Sequence, residues 1–489
     1  MCGIIGITGK DNIAPDLLEG LIGLQHRGQD SCGIVTCDGE MHAIKGKGLV
    51  KDVVDEQAIR YLTGNMGIGH TRYVTSGSAD GEETHPFRVN KPYQIALAHN
   101  GNLFNYGELK KKYDKENKFS CDTQIILKIF ADVLEKNKKI DFFDATVKAI
   151  EAVHKVAKGS FSIVSIVKGK GMVAFRDSYG VKPLILGERD EGEEKEYILA
   201  SENTMFHALD FKYVRDIDPG EVVFIDQNKK IQSKIIAKEE FRPCIFEYVY
   251  FARPDGMLNN VSVYRSRLRM GQNLAKKIKR EYKDLDIDVV IPVPSSANTS
   301  ALALAHELGV RYTEGLYKNH FIGRTFIMPN QKTRKRGVKR KLSPIKVEIN
   351  KKNVLIVDDS IVRGNTSVQI VKLLREYGAK KVYFAVACPP LRFPCLYGID
   401  MPSRKEFIAH NLEIKEIKEK MGADELIYQD LDDLIEAVTR RGKHNKIKKP
   451  CCACFTGDYP IGNITEKVLD NIEEQRKNDE KAAKQAKLL

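Results

Sequence analysis

No apolar run in this chain reaches the roughly 18 residues that a membrane-spanning helix needs. The N-terminus also lacks a basic region followed by an apolar stretch, so no secretory signal is expected and the protein is expected in the cytoplasm. In such a chain the ten cysteines, unevenly spread, argue against a disulfide framework and for reduced thiols, metal binding or catalysis. There is no internal repeat, and no interleaving of aromatic and basic residues of the RNA-binding kind. The net charge of +13 therefore fits small anionic substrates as well as a polyanion. Neither nucleic acid nor membrane is expected as a partner.

At 489 residues the chain is too long for one core, and two or three domains are expected. Residues 2–235 read as short apolar runs between Gly, Asn and Asp turns, namely Gly3 to Thr8, Gly33 to Thr36, Ile95 to Ala98 and Phe161 to Val167. That is a strand-rich α+β pattern, interrupted by a helix from Thr123 to Leu134 with Ile125, Ile126, Ile129 and Phe130 on one face. Residues 236–445 change to isolated all-apolar strands followed by amphipathic helices, the α/β signature of a parallel sheet covered on both faces. Val289 to Val293, Val354 to Val357 and Val382 to Ala387 are its clearest strands. Residues 446–489 are basic and polar, carry a cysteine cluster and end in a charged tail read as helical.

Met1-Cys2-Gly3-Ile4-Ile5-Gly6 opens the chain. A small residue at position two invites removal of the initiator methionine, which would give Cys2 both a thiol and a free α-amine. With an amine pKa of about 7.7–8.0, a neutral base is then available to the thiol near neutral pH. An ordinary chain start with a buried cysteine is the competing reading.

The run Val354-Leu355-Ile356-Val357-Asp358-Asp359-Ser360-Ile361-Val362-Arg363-Gly364-Asn365-Thr366-Ser367 is a strand ending in two acids, a turn of small and hydroxyl residues, then a helix. N–H groups at a helix start converge on a phosphate, with hydroxyls adding donors. The acids would repel that phosphate and should face sugar hydroxyls or a divalent cation instead. A ligand with a phosphate, a ribose and a metal-bound pyrophosphate matches this arrangement.

The run resembles the phosphoribosyl-pyrophosphate loop of type I phosphoribosyltransferases. The resemblance implies that Asp358 and Asp359 meet ribose hydroxyls or metal, and that Ser360, Arg363, Gly364, Asn365, Thr366 and Ser367 belong to the site, with the last four on the 5′-phosphate. Asn365 stands where that family usually has Thr. In the front half, Gln25-His26-Arg27-Gly28-Gln29-Asp30-Ser31, Gly69-His70-Thr71-Arg72-Tyr73 and Ala98-His99-Asn100-Gly101-Asn102-Leu103 resemble the N-terminal-nucleophile glutaminases, a four-layer αββα fold. Together the motifs make the chain, from residue 2 to about 460, similar to the amidophosphoribosyltransferases.

By that resemblance Arg72 holds the glutamine α-carboxylate, Asp122 accepts from its α-ammonium, and the Asn100 side chain with the Gly101 N–H forms an oxyanion hole. Taken singly, Arg72 reads as a surface ion pair, Asn100-Gly101 as a hairpin turn and Asp122 as a helix cap. Phe251-Ala252-Arg253-Pro254-Asp255, Ile291-Pro292-Val293-Pro294-Ser295-Ser296 and Gly323-Arg324-Thr325-Phe326-Ile327 match the same family. Ser296 then joins Asp358 and Asp359 around Mg2+, although the family often has an acid near Ser295. The basic run from Lys332 to Lys341 reads as a flap closing over pyrophosphate, with Lys339 and Lys341 as its contacts.

Cys451-Cys452-Ala453-Cys454 contains a C-x-x-C pair, and Cys244 and Cys395 lie far away in sequence. Four thiolates suit a [4Fe–4S] cluster or tetrahedral zinc, and spacing alone leaves both open. The resemblance to the iron–sulfur subclass implies a [4Fe–4S] cluster on Cys244, Cys395, Cys451 and Cys454. It further implies glutamine and phosphoribosyl pyrophosphate as substrates, purine nucleotides as inhibitors and a homotetramer or homodimer. Two other functions compete: a phosphoribosyl-pyrophosphate-sensing purine regulator, and a sugar-phosphate aminating enzyme such as a glucosamine-phosphate synthase.

Overall fold

The structure, a computed structural model, describes residues 1–73, 83–116, 118–192, 194–237, 239–319, 342–401, 403–440 and 445–474. In chain order the front half forms β1 (Gly3–Thr8), β2 (Ser31–Cys37), β3 (Met41–Lys47), β4 (Met66–Arg72), β5 (Phe87–Val89) and β6 (Ile95–Leu103). It continues with β7 (Gly159–Val167), β8 (Gly171–Arg176), β9 (Ile185–Glu191), β10 (Glu194–Ala200), β11 (Lys212–Asp216), β12 (Glu221–Asp226) and β13 (Ile231–Ile235). Two antiparallel sheets result, of seven strands in the order β11-β9-β10-β1-β4-β2-β3 and of six in the order β13-β12-β8-β7-β6-β5.

Strand alternation explains how the sheets stack. Ile4, Val35, Ile68, Ala98, Val164, Ala174 and Leu199 meet in the core between the sheets. Their neighbours Ile5 and Ile7 point the other way and pack with Leu17 and Leu21 of the helix Ala14–Gly23. On the far side, Ile125, Ile129 and Phe130 of Asp122–Lys136 and Ile150 and Val153 of Phe142–Val156 cover Ile95, Leu97, Ile163 and Phe175. Helix, sheet, sheet and helix form the four layers of the N-terminal-nucleophile fold. β1 is buried along its whole length because both of its faces are covered.

β6 is longer than its apolar letters announce. Asn100 and Gly101 are not a hairpin turn; they sit inside the strand, opposite Ser162 and Phe161 of β7. A His-Asn-Gly-Asn run has poor strand propensity, and pairing to β7 overrides it.

The back half carries a five-stranded parallel sheet in the order Arg311–Tyr312, Val289–Pro292, Asn353–Asp358, Lys381–Val386, Glu425–Tyr428. Val354 and Ile356 face the helices Asn365–Glu376 and Ile414–Met421, while Leu355 and Val357 face Val263–Glu281 and Asn298–Leu308. With both faces covered, only the carboxyl ends of these strands are open to a ligand. Gly378, with φ +89°, follows the helix Asn365–Glu376 as its stop. Of the charged tail, residues 466–474 are helical and are held by Arg404 against Glu473 at 3.0 Å. Among the described residues no helix is long and apolar enough to cross a membrane.

Candidate functional site

β1 delivers the chain start to the end of β6. The Cys2 N–H donates to Asn100 Oδ1 at 3.3 Å, and Cys2 itself is half-buried with its Sγ 4.0 Å from the Tyr73 carbonyl. Asn100 is fully buried, and its Nδ2 has no hydrogen-bond partner. A buried amide donor without a partner costs free energy, so its presence beside a thiol points to an oxygen that arrives from outside. Gly101 lies opposite Phe161, whose N–H and carbonyl are already engaged by Asp177 at 3.2 and 2.8 Å. Met1 is wholly buried, and burial first, then the cations of Lys182 and Arg27, lower its amine to about 5.

Arg72 ends β4 and is not a surface residue: it is 8% exposed and paired to Glu83. Asp122 is the first residue of its helix rather than the cap, which is Cys121. Its Oδ2 accepts from the Leu103 N–H at 2.9 Å, and its Oδ1 lies 3.7 Å from His99 Nδ1. Burial opposes its charge, yet His99 and these hydrogen bonds bring the carboxyl below its ordinary value.

Sequence reasoning missed the groups that fasten this region. Arg27 lies within the Gln25 to Ser31 motif, where the sequence gives it no role, and Glu202 and Glu247 carry no signal there. Fully buried, Arg27 donates through Nε to the Cys2 carbonyl at 3.0 Å and pairs with Glu202 and with Glu247. Glu202 also accepts from His26 Nε2 at 2.9 Å and from the Arg253 N–H at 3.0 Å. The nucleophile's backbone is thereby tied to Glu247 and Arg253 at the start of the back half.

At the carboxyl end of the parallel sheet, Asp358 closes the central strand. Both acids are buried, Asp358 and Asp359 each at 7% exposure. Burial and then the charge of Asp359 push the Asp358 carboxyl well above its usual range. Burial also raises Asp359, although Ser296 and Ser360 donate to it and Arg267 lies nearby. Two adjacent carboxyls short of positive charge suit a divalent cation. Gly364, with φ +75°, precedes the helix Asn365–Glu376, leaving Asn365 and Thr366 exposed at its N-terminus and Ser367 buried. Arg363 is exposed and pairs with Glu406 at 3.0 Å. Lys339 and Lys341, the rest of the basic run, and Gly323 to Ile327 lie outside the described residues.

Fold brings the four distant cysteines together. Cys244, Cys395, Cys451 and Cys454 line one cavity with Val181, Tyr397, Ile399 and Ala453, and Cys452 is not part of its wall. Cys244 bridges Cys451 in parallel, the Ile245 N–H donating to the Cys451 carbonyl at 3.2 Å. Burial pushes the Cys244 thiol up to about 11, and burial with neighbouring thiols pushes Cys451 and Cys454 well above the ordinary thiol value. Among the described residues no three His, Cys, Asp or Glu side chains already stand in the geometry of a metal site.

A half-buried cysteine at the start of a four-layer fold, ahead of a parallel sheet that ends in an acid pair and a glycine turn before a helix, is the arrangement of a two-part glutamine-dependent transferase. Residues 70–208 match the glutamine amidotransferase domain and residues 263–421 the phosphoribosyl transferase domain. The amidophosphoribosyltransferase of Escherichia coli K12 is 46% identical over 99% of this chain and 97% of its own length. That of Saccharomyces cerevisiae is 44% identical over 98% of this chain and 96% of its own. The solved glutamine phosphoribosylpyrophosphate amidotransferase of B. subtilis, complexed with ADP and GMP, superposes with a TM-score of 0.82 at 34% identity, covering 95% of this chain and 98% of that one. The chain belongs to the amidophosphoribosyltransferase family.

Proposed function

We infer that this chain converts glutamine, 5-phosphoribosyl 1-pyrophosphate and water into 5-phosphoribosylamine, glutamate and pyrophosphate, the first committed step of purine nucleotide synthesis. The observation that carries this reading is the joint presence of the Cys2–Asn100 contact and the Asp358-Asp359 turn at the open end of a parallel sheet. The purine-regulator alternative has no part of the chain left to it, because the similarity to enzymes runs over both halves.

In the glutaminase half, with Met1 removed, the Cys2 amine takes the thiol proton and the thiolate attacks the glutamine side-chain amide. Asn100 Nδ2 and the Gly101 N–H donate to the oxygen that becomes negative, and such a donor lowers the barrier by about 3 kcal/mol. Ammonia leaves and water releases glutamate from the thioester. Arg72 holds the α-carboxylate, exchanging Glu83 for it, and Asp122 takes the α-ammonium.

In the transferase half, ammonia attacks C1 of the sugar as pyrophosphate departs. Gly364 to Ser367 hold the 5′-phosphate at the helix start. Asp358, Asp359 and Ser296 fit Mg2+, which when bound offsets the charge of the pyrophosphate. Lys339 and Lys341 complete the proposal as the flap that excludes water. Cys244, Cys395, Cys451 and Cys454 fit a [4Fe–4S] cluster that ties the C-terminal segment to the transferase half. Assembly into two or four copies and inhibition by purine nucleotides belong to the same proposal, the B. subtilis relative having been solved with ADP and GMP.

The test is simultaneous measurement of glutamate and pyrophosphate from glutamine, Mg2+ and phosphoribosyl pyrophosphate, beside Cys2→Ala supplied with ammonium. Equal release by the unmodified enzyme, and activity of the variant on ammonium alone, is the expected result. Glutamate without pyrophosphate would show that the acceptor is wrong.

A further inference from the structure

Beyond Leu97, no strand among the described residues covers the outer edge of β6, since β5 pairs only with Ile95 to Leu97. Asn100 to Leu103 therefore have β7 as their strand partner on one side, and on the other the Leu103 N–H donates to Asp122 Oδ2 at 2.9 Å. Three residues of the back half lie against this stretch. Asn102 Nδ2 donates to the Leu396 carbonyl at 2.9 Å, and Ser160 Oγ donates to the Tyr397 carbonyl at 2.8 Å. Asn102 and Ser160 are direct partners on β6 and β7, so both side chains leave the same face and together take two consecutive carbonyls. Gly398 comes next, with φ +99°, and runs so near Gly101 that a Cβ would stand 2.7 Å from the Gly101 carbonyl oxygen.

The opposite side of Leu396–Gly398 is fixed as well. The Tyr397 N–H donates to Cys395 Sγ at 3.3 Å, and the buried Tyr397 hydroxyl donates to the Ile461 carbonyl at 3.0 Å and accepts its N–H at 2.9 Å. Tyr459 donates to the Pro394 carbonyl at 2.6 Å. The segment is held between the cysteine-bearing strands of chain and the strand that carries Asn100.

We propose that Leu396–Gly398 is a brace by which the transferase half sets the position of Asn100 and Gly101, with Asn102 and Ser160 as positioning residues for glutamine hydrolysis. The proposal rests on the reading of Asn100 and Gly101 as oxyanion donors. Such donors act only when aimed at where the oxyanion forms, to within a few tenths of an ångström. With one strand partner at this stretch, the aim depends also on what packs against the face of β6 and β7, and the brace supplies that contact from another part of the chain. Arg72 is placed by β4, and Asp122 starts its own helix with one carboxylate oxygen on the Leu103 N–H, so the brace acts on glutamine binding less than on Asn100 and Gly101.

The experiment compares Asn102→Ala, Asn102→Asp, Gly398→Ala and Asn100→Ala in the full chain, reading kcat and KM for glutamine and the ammonium-driven release of pyrophosphate. Asn102→Ala and Gly398→Ala are each expected to lower the glutamine kcat by about tenfold, the loss of one well-made hydrogen bond's worth of positioning. KM for glutamine should stay within about twofold, and ammonium-driven turnover should persist. Asn102→Asp keeps the shape but sets an acceptor against the Leu396 carbonyl, and should do no better than Ala. Asn102 is half-buried, so its variants carry the test if Gly398→Ala does not fold. An unchanged glutamine kcat in Asn102→Ala, a rise in KM alone, or equal loss of both reactions would overturn the brace. If Asn100→Ala itself hydrolyses glutamine normally, the oxyanion reading fails first, and the two failures are distinguishable.

Discussion

Arg27 donates to the carbonyl of Cys2 at 3.0 Å while its guanidinium is sealed between two carboxylates, Glu202 of the front half and Glu247 of the back half. Burial disfavours the cation, but Glu247 and Glu202 outweigh it and raise its affinity for the proton. Removing one partner from such a buried network leaves the others uncompensated. Arg27→Met is therefore expected to cost about 3–5 kcal/mol, read as a lowered urea midpoint. A loss below about 1 kcal/mol would mean that water or side-chain movement relieves Glu202 and Glu247.

The same network predicts an acid-labile stability. Burial alone would raise the Glu202 carboxyl, but His26 and Arg27 prevail and hold it at about 2, against 4.5 ordinarily. Between these values the unfolded chain takes up a proton that the folded chain does not. The contribution, about 3 kcal/mol, is whole above the ordinary value and is lost as pH falls through the folded one. Glu202→Gln should accordingly be less stable than the unmodified protein near neutrality, and the difference should shrink toward pH 2–3. A pH-independent difference in urea unfolding would contradict the assignment.

Asn100 divides its amide between two tasks, accepting from the nucleophile's N–H and leaving a buried donor unpaired. If that donor meets the oxyanion, Asn100→Ala should lower the glutamine kcat by about 10²–10³ and change KM far less. Steady-state glutamate release decides it, with the ammonium-driven reaction as the control. Loss of glutamine affinity in place of turnover would assign Asn100 to substrate binding.

Much of this architecture was legible in the sequence where physics is local. Gly3–Thr8 was bounded correctly from its apolar run, and the 354–367 run showed a strand, a turn and a helix in order. β6 was cut short at Ala98 because His-Asn-Gly-Asn lacks strand propensity, and only pairing with β7 reveals that Asn100 is held in a sheet. Arg27 stood inside a readable motif, but its partners lie 175 and 220 residues away, beyond any periodicity. The choice of Cys451 over Cys452 followed a two-residue spacing, and the cavity wall includes the first and omits the second.

Asp358 illustrates a site assembled against stability. Its carboxyl is buried beside Asp359, with the Asp359 N–H at 2.9 Å as a hydrogen-bond donor. Asp358→Asn removes the repulsion and keeps the shape, so the free protein should gain about 1 kcal/mol while pyrophosphate release from phosphoribosyl pyrophosphate collapses. Thermal unfolding without ligands and product assay together check this. A destabilised and inactive variant would instead make Asp358 a structural residue.

The cysteine cavity yields the sharpest compositional prediction. Cys244, Cys395, Cys451 and Cys454 share one wall and reach it from three separate stretches of chain, and burial raises the thiols of Cys244, Cys451 and Cys454. Four thiolates around one space would carry more negative charge than an apolar pocket tolerates, and a bound metal centre would offset it. Protein prepared anaerobically should contain about four iron and four acid-labile sulfide per chain and absorb in the visible blue. Cys395→Ser should lose most of this iron, and Cys452→Ser should retain it, because Cys452 stands outside the wall. Near-stoichiometric zinc without sulfide would replace the cluster by a tetrahedral zinc site on the same four residues. Equal iron loss in Cys452→Ser and Cys395→Ser would show that the ligand set read from the cavity is wrong.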